Sequence, residues 1–242
     1  MNLVIDIGNT RNKVAVFREE YLQHMEHVSN EELVNRLSEL AGGFPISRAI
    51  LSHVARLNRE TIDQIGVLFP LVLLDQTTPL PFKNAYSTPA TLGVDRIALV
   101  AAAVSQFPGK NVLVIDAGSC ITYDFVNDKA VYPGGAISPG IEMRYKAVHQ
   151  YTANLPLLSK RDDIPLIGDS TENAIHLGIL NGVICEIEGI IEQYRLKNIK
   201  LTVVLTGGDT NFLAKNLKSS IFATPNFLLE GLNSILIHNR AE

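Results

Sequence analysis

The chain has 242 residues, 46% of them hydrophobic, which is enough for one large core or for two domains of about 110 to 120 residues. Its 21 Lys and Arg residues against 25 Asp and Glu residues give a net charge of −4, and no basic cluster supports a nucleic-acid partner. We expect a cytoplasmic protein without a membrane partner, because we find no signal-type segment, no apolar run near the roughly 20 residues of a membrane span, and two cysteines only.

An acidic turn follows the first predicted strand, at residues 3–7. Asp6 lies near the end of this strand, and Gly8 would let the backbone approach a ligand closely. Asn9 and Thr10 would add hydrogen-bond donors. This order of residues indicates a phosphate turn with a carboxylate beside it, although for a single copy an ordinary turn is the favoured explanation.

The rest of the first half alternates strands and helices. Lys13 begins a second strand and could reach back to a phosphate, but a solvated lysine at a strand edge is an equal alternative. The predicted elements are strands at 13–17 and 21–27, a helix from a Ser29 and Glu32 capping box to about Ala41, a strand at 48–53, a helix at 58–69 and a strand at 71–75.

A proline-rich loop at residues 77–89 carries Tyr86 and precedes an apolar, alanine-rich helix. The first turn of that helix contains Asp95 and Arg96. Charged residues are rarely buried unless they are paired, so these two either form a structural salt bridge or face a ligand. Their place between the tyrosine loop and a second acidic turn favours a substrate site.

The second acidic turn repeats the first one. Asp116 follows Asp6 by 110 residues, and Gly118 follows Gly8 by the same 110. The equal offset predicts two similar halves, residues 1–110 and 111–242, which each bring an acidic turn to a shared cleft.

The second half is predicted to continue this pattern. Its long apolar helix, at 171–194, has more apolar residues than one core face needs, so it packs either against another subunit or between the two halves. A Gly-Gly turn at 206–209 could lie close to a ring or a sugar, although most such turns bind no ligand. The other elements are strands at 111–116, 121–127, 130–137 and 200–205, a helix ending near Tyr151, a proline-rich loop at 155–165 and a closing helix at 226–239.

Neither a P-loop nor a dinucleotide-binding motif occurs. The paired acidic turns resemble those of the acetate and sugar kinase, heat-shock chaperone ATPase and actin superfamily. That resemblance implies an α/β fold of duplicated ribonuclease-H-like (actin-like ATPase) domains with a central interdomain cleft. Within the superfamily the chain resembles the type III pantothenate kinases, through segments 6–13, 92–96, 116–119, 134–140, 152–156, 168–171 and 206–208.

The resemblance implies that the chain phosphorylates pantothenate with ATP, Mg²⁺ and a monovalent cation, K⁺ or NH₄⁺, and forms a homodimer. It assigns Asp95 as catalytic base, Asp6 as a residue near Mg²⁺ and Asp116 as the ligand of the monovalent cation. The implied ATP contacts are Asp6, Ile7, Gly8, Asn9, Thr10, Arg11, Asn12, Lys13 and Ser119, with residues 206–208 bordering the adenosine. The implied pantothenate contacts are Tyr86, Gly93, Val94, Asp95, Arg96 and Thr171.

Two other functions are compatible with this fold. One is a nonenzymatic regulator resembling the Bvg accessory factor proteins, and the other is a kinase for a different small hydroxyl compound. A regulator need not retain Tyr86, Asp95 and Arg96 together, so their joint presence favours an enzyme.

Overall fold

The computed structural model describes residues 1–8, 12–53, 57–197 and 200–240. The chain forms two compact units. The first unit comprises Met1–Pro108, Ala130–Pro133 and Asn226–Glu242, and the second comprises Gly109–Lys129 and Gly134–Pro225. The repeat in the sequence divides the chain after residue 110, whereas the contacts place residues 130–133 and the last helix with the first unit.

The first unit is built on a five-stranded sheet in the order β3-β2-β1-β4-β5. The first three strands are antiparallel neighbours, and β4 and β5 add to β1 in parallel. Every residue of β1 is buried, which explains its continuous apolar run. The strands are β1 (Asn2–Ile7), β2 (Asn12–Arg18), β3 (Tyr21–Val28), β4 (Arg48–His53) and β5 (Leu71–Leu73).

Helices cover both faces of this sheet. Leu3, Ile5 and Ile7 share a core with helices α1 (Leu33–Gly43) and α2 (Arg59–Leu68). The opposite face packs against α3 (Val94–Gln106) and the C-terminal helix, which we number α7 (Phe227–His238). Because side chains alternate along a strand, even-numbered residues of β1 point toward α3 and α7.

The second unit repeats this arrangement, with sheet order β10-β8-β7-β11-β12. Its central strands are again an antiparallel pair, β7 with β8, and a parallel pair, β7 with β11. The predicted duplication of an α/β unit is therefore confirmed. The elements are β7 (Asn111–Ala117), β8 (Cys120–Val126), β10 (Gly134–Pro139), α4 (Ile141–Gln150), α5 (Thr171–Leu196), β11 (Leu201–Thr206), α6 (Thr210–Asn216) and β12 (Phe222–Ala223).

The prediction of one strand over residues 130–137 was wrong. Pro133 divides it into β9 (Val131–Tyr132) and β10, because proline has no N–H for a ladder and Gly134 follows with a φ of 135°. The short strand β9 pairs in parallel with β6 (Lys83–Asn84) of the first unit, which the sequence did not predict. The strand predicted at 48–53 occurs with those bounds as β4, and the other predicted elements occur with shifted ends. Helix α1, for example, begins at Leu33 and includes the two glycines expected to end it.

Helix α5 packs one face into the core of the second unit, through residues such as Ile179, Val183 and Ile187. The helix has 26 residues, and an 18-residue stretch of it has a mean hydropathy of 1.6, so by length and composition it could cross a membrane. Only 39% of that stretch is buried, and core helices of other proteins meet the same criterion of length and composition. The second unit therefore covers one face of α5 and leaves the other face exposed.

Candidate active site

Asp6 lies on the face of the first sheet that packs against α3. Its strand neighbours Ile5 and Ile7 point into the core beneath α1 and α2, so alternation directs Asp6 to the opposite side. In the strand register, Asp6 is opposite Lys13 on β2 and Ser52 on β4. The Asp6 side chain is 8% exposed, and Ser52 is fully buried. Asp6 is therefore a buried carboxylate with the cation of Lys13 beside it.

Burial is the main reason that the pKa of Asp6 is raised, from 3.8 to about 6. Lys13 opposes this rise, the negative charge of Asp95 adds to it, and the Ser52 hydroxyl lowers the pKa. A buried carboxylate whose charge is disfavoured by a second carboxylate nearby provides a place where a bound cation lowers the electrostatic energy.

This donor set fits Mg²⁺. Within the described ranges, no group of three or more His, Cys, Asp or Glu side chains is placed to hold a metal ion. Mg²⁺ is usually held by only one or two carboxylates, with water and substrate phosphates as its other ligands. The Asp6 carboxylate is thus a suitable protein ligand for a magnesium ion that arrives with a phosphate.

Asp95 is held at the N-terminus of α3. Its Oδ1 accepts a hydrogen bond of 2.8 Å from the backbone N–H of Arg96. Gly93 is the N-cap residue, and a Cβ atom on it would collide with the Asp95 carboxylate. The positive end of the helix dipole favours a negative charge at this position. The local backbone therefore orients Asp95 and keeps it close enough to Asp6 for their charges to interact.

Arg96 and Tyr86 lie next to this carboxylate pair. Arg96 is only 5% exposed, and its guanidinium carbon lies 5.6 Å from the centroid of the Tyr86 ring, a cation–π distance. The Tyr86 backbone N–H donates to Oδ1 of Asn84 at 3.0 Å. The first unit thus brings together Tyr86, Gly93, Val94, Asp95 and Arg96, the five predicted substrate contacts that precede residue 100.

The second unit places its acidic turn beside the Gly-Gly turn. Asp116, at the end of β7, is the register partner of Thr206 on β11. Gly207 has a φ of 95°, and a Cβ atom there would collide with the Ala117 carbonyl oxygen and the Asp116 carboxylate. The backbone N–H of Asp209 donates to the Ala117 carbonyl at 3.0 Å. These contacts require glycine at position 207 and fix the two turns against each other.

Ser119 lies exposed in the turn between β7 and β8, and a network that the sequence did not predict supports it. The N–H of Gly140 donates to the Ser119 carbonyl at 3.1 Å. Arg144 donates to the Pro139 carbonyl at 2.9 Å and to Glu186 at 2.6 Å. No local signal could have paired α4 with α5, because the two charged residues are 42 positions apart.

Glu186 is the centre of that network. Burial alone would raise the pKa of Glu186, but hydrogen bonds from Arg144, Ser138 and Tyr123 outweigh burial and lower it. The Tyr123 hydroxyl donates to the other carboxylate oxygen at 2.8 Å. Lys160, also not predicted, forms an ion pair with Asp209 and lies 5.5 Å from the Phe212 ring. Polar contacts thus hold both predicted nucleotide turns of the second unit.

The remaining predicted residues have different surroundings. Ile7 is buried in the core, so only its backbone could contact a phosphate, and Nδ2 of Asn12 donates to Asn30 at 2.8 Å. Thr171 is the exposed first residue of α5 in the second unit, after the capping residue Ser170. Gly8 is half-buried beyond β1. Asn9, Thr10 and Arg11 lie outside the described residues.

The fold is similar to those of known kinases and related proteins. A Campylobacter jejuni structure assigned to the Baf family of transcriptional activators has a TM-score of 0.65 and 21% identity, with 98% of each chain covered. A glucokinase from an Antarctic psychrotroph has a TM-score of 0.52 and 11% identity, with 99% of each chain covered. At these identities the likeness concerns the fold alone.

Relatives found by sequence share a much higher identity with this chain than these solved structures do. The family model described as type III pantothenate kinase matches residues 2–193. A type III pantothenate kinase of Christiangramia forsetii is 51% identical over 243 residues, with 100% of each chain covered. Another, from Flavobacterium psychrophilum, is 45% identical over 236 residues, with 97% of this chain and 98% of the relative covered. With these full-length matches, the chain belongs to the type III pantothenate kinase family.

Proposed function

We propose that this chain transfers the γ-phosphoryl group of ATP to the primary hydroxyl of pantothenate, giving 4′-phosphopantothenate and ADP, the first step toward coenzyme A. Family membership supports the substrates. The observation that carries the site assignment is the electrostatic interaction of Asp95 with Asp6, next to Lys13. Phosphoryl transfer requires charge compensation and precise positioning, which such a group can provide.

In the proposed mechanism Asp95 is the catalytic base. The pantothenate oxygen bonds to the γ-phosphorus, the bond from that phosphorus to the bridging oxygen of ADP breaks, and the hydroxyl proton passes to Asp95. Because the transition state is loose, this proton leaves late, and a weak base that is well oriented suffices. The hydrogen bond from the Arg96 N–H supplies that orientation.

Other residues bind and align the reactants. Lys13 and the turn from Asp6 to Asn12 bind the phosphates, Ser119 adds a contact to ATP, and residues 206–208 border the adenosine. Asp6 would hold Mg²⁺, which would neutralise phosphate charge when bound, and Asp116 would bind K⁺ or NH₄⁺. Tyr86, Arg96 and Thr171, with residues 93–95, hold pantothenate.

We also propose that the protein is a cytoplasmic homodimer without nucleic-acid or membrane partners. The exposed face of α5 supports self-association, because Gly178 and Gly182 are exposed on it and a Cβ atom at either position would meet nothing within 4 Å, which leaves room for another helix to approach. Light scattering at micromolar concentration tests this proposal. A monomer under these conditions would contradict it.

The activity is tested by measuring ADP release from purified protein with and without pantothenate. We expect release that depends on pantothenate and falls when sodium replaces potassium. Release that needs no pantothenate would favour another hydroxyl substrate, and no release at all would favour a regulator of the same fold. Insensitivity to the cation exchange would count against the role of Asp116.

The base assignment is tested with Asp95→Asn, which we expect to lower kcat by roughly 10² to 10⁴ while ATP still binds. Asp128→Asn is the matched control, because Asp128 is an exposed carboxylate in the turn after β8. Near-normal turnover of Asp95→Asn would remove Asp95 from the role of base.

A further inference from the structure

Tyr132 is a buried aromatic residue on the short strand β9 of the first unit. The chain enters the first unit at Ala130 and returns to the second after Pro133. Between these points, the N–H of Lys83 donates to the Ala130 carbonyl at 2.8 Å, and the N–H of Ala85 donates to the Tyr132 carbonyl at 2.9 Å. The loop that carries Tyr86 is therefore tied by its backbone to β9.

The ring of Tyr132 extends this attachment to side chains. It stacks on the Tyr86 ring with centroids 6.1 Å apart and an interplanar angle of 17°. The Phe82 ring meets the edge of Tyr132, also at 6.1 Å, with an angle of 79°. Both geometries are favourable arrangements of aromatic pairs. Tyr132 is fully buried, so its ring provides a fixed surface for Tyr86.

Tyr86 in turn contacts Arg96, whose guanidinium carbon lies 5.6 Å from the Tyr86 ring centroid. The ring of Tyr86 thus touches both Tyr132 and Arg96. The backbone contacts of its loop fix the main chain of Tyr86 but not its half-buried ring, whose orientation depends on such side-chain contacts. Removing the Tyr132 ring would let Tyr86 adopt other rotamers and would remove a constraint on Arg96.

We propose that Tyr132 is a positioning residue for pantothenate, which acts by fixing the orientation of the Tyr86 ring and, through it, of Arg96. The inference rests on the proposed function, in which Tyr86 and Arg96 hold this substrate. Tyr132 itself need not touch pantothenate.

The test compares Tyr132→Leu with Tyr132→Phe, which keeps the ring. We expect Tyr132→Leu to raise the KM for pantothenate about two- to thirteenfold, the range expected for one lost aromatic stack, and to change the KM for ATP less than about twofold. Tyr132→Phe should remain within about twofold of the unchanged protein for both substrates. Phe17→Leu is the matched control, because Phe17 is a fully buried aromatic residue of the same unit on strand β2.

A double-mutant cycle separates positioning from general loosening of the fold. If Tyr132 acts through Tyr86, then Tyr86→Leu combined with Tyr132→Leu should have nearly the same KM for pantothenate as Tyr86→Leu alone. The proposal is overturned if the effects of Tyr86→Leu and Tyr132→Leu on the KM for pantothenate multiply in the double variant. It is also overturned if Tyr132→Leu changes the KM for pantothenate and the KM for ATP equally, or if Phe17→Leu raises the KM for pantothenate as much as Tyr132→Leu does. If the unchanged protein shows no pantothenate-dependent ADP release, the proposed function fails first, and this inference with it.

Discussion

The carboxylate of Asp95 occupies the space in which a side chain on Gly93 would stand. The φ of Gly93 is −61°, a value that any residue adopts, so glycine is required there for space and not for backbone conformation. The absence of a Cβ atom lets the Asp95 carboxylate fold back over the N-terminus of α3 and accept the Arg96 N–H. The position of the proposed base therefore depends on a residue that performs no chemistry.

We predict that Gly93→Ala lowers kcat by about 10- to 1000-fold with little loss of stability. The added methyl group displaces only the end of the Asp95 side chain, which can rotate away at small cost but loses its alignment with the substrate. Steady-state kinetics and thermal unfolding of the same preparation measure the two quantities.

Gly66→Ala is the control for that substitution. Gly66 is an exposed glycine within α2, and a Cβ atom there would meet nothing within 4 Å. We expect unchanged turnover and a gain in stability of about 0.5–1 kcal/mol from helix propensity. Normal turnover in Gly93→Ala would show that the orientation of Asp95 is not limiting.

The raised pKa of Asp6 predicts a dependence of stability on pH in the protein without ligands. A carboxyl whose pKa rises from 3.8 to about 6 on folding binds its proton more tightly in the native state. The resulting penalty is absent below about pH 4, grows between pH 4 and 6 and is complete above pH 6. Its full size is on the order of 3 kcal/mol, since one pKa unit corresponds to 1.36 kcal/mol.

Asp6→Asn should therefore be more stable than the unchanged protein at pH 8, and the two should converge near pH 4. Urea unfolding at a series of pH values, without Mg²⁺ or nucleotide, measures the difference. A constant difference across this range would mean that Asp6 titrates normally in the folded protein.

The Arg144–Glu186 pair is predicted to stabilise the second unit as one element of a network. Both side chains are mostly buried, with 22% and 26% exposed, so Glu186→Gln should lower the free energy of unfolding by about 1–3 kcal/mol. Arg144→Met combined with Glu186→Gln should cost less than the sum of the two single changes.

The matched control for this pair is the exposed ion pair between Arg240 and Glu19, whose side chains are 43% and 68% exposed. Glu19→Gln should change stability by less than about 0.5 kcal/mol, because water screens such pairs. Equal effects of Glu19→Gln and Glu186→Gln would contradict a special role for the buried network.

Gly231→Ala should destabilise the first unit by about 1–3 kcal/mol, although alanine is the better helix former. A Cβ atom on Gly231 of α7 would collide with the Ala98 carbonyl oxygen of α3, so the two helices would have to move apart. Chemical denaturation compares this variant with Gly66→Ala, and a gain in stability from both would show that α7 does not pack closely on α3.

The local features of this site could be predicted from sequence. A continuous apolar run and the Asp-x-Gly order after it locate the two acidic turns, and the equal offset of 110 residues predicts the repeat that the sheets confirm. The position of Asp95 at the start of α3 follows from the apolar pattern after it. These features depend on neighbours in the chain.

The supporting contacts could not be predicted in this way. Tyr132 stacks on Tyr86 across 46 positions of sequence, and the apolar pattern predicts a single strand across Pro133, which does not separate β9 from β10. Glu186 and Arg144 lie on two different helices, and neither helix pattern specifies which turns face each other. Long-range packing decides these pairs, and a single sequence contains no local sign of it.

The short detour of residues 130–133 has a consequence for how relatives of this chain can be recombined. Because the first unit draws on three separate stretches of the chain, no single crossover exchanges it whole between two genes. A chimera joined near residue 108 would combine the Tyr86 loop of one parent with β9 and α7 of the other. Compatibility at the Tyr86–Tyr132 and Ala98–Gly231 contacts would then decide whether such hybrids fold and recognise their substrate.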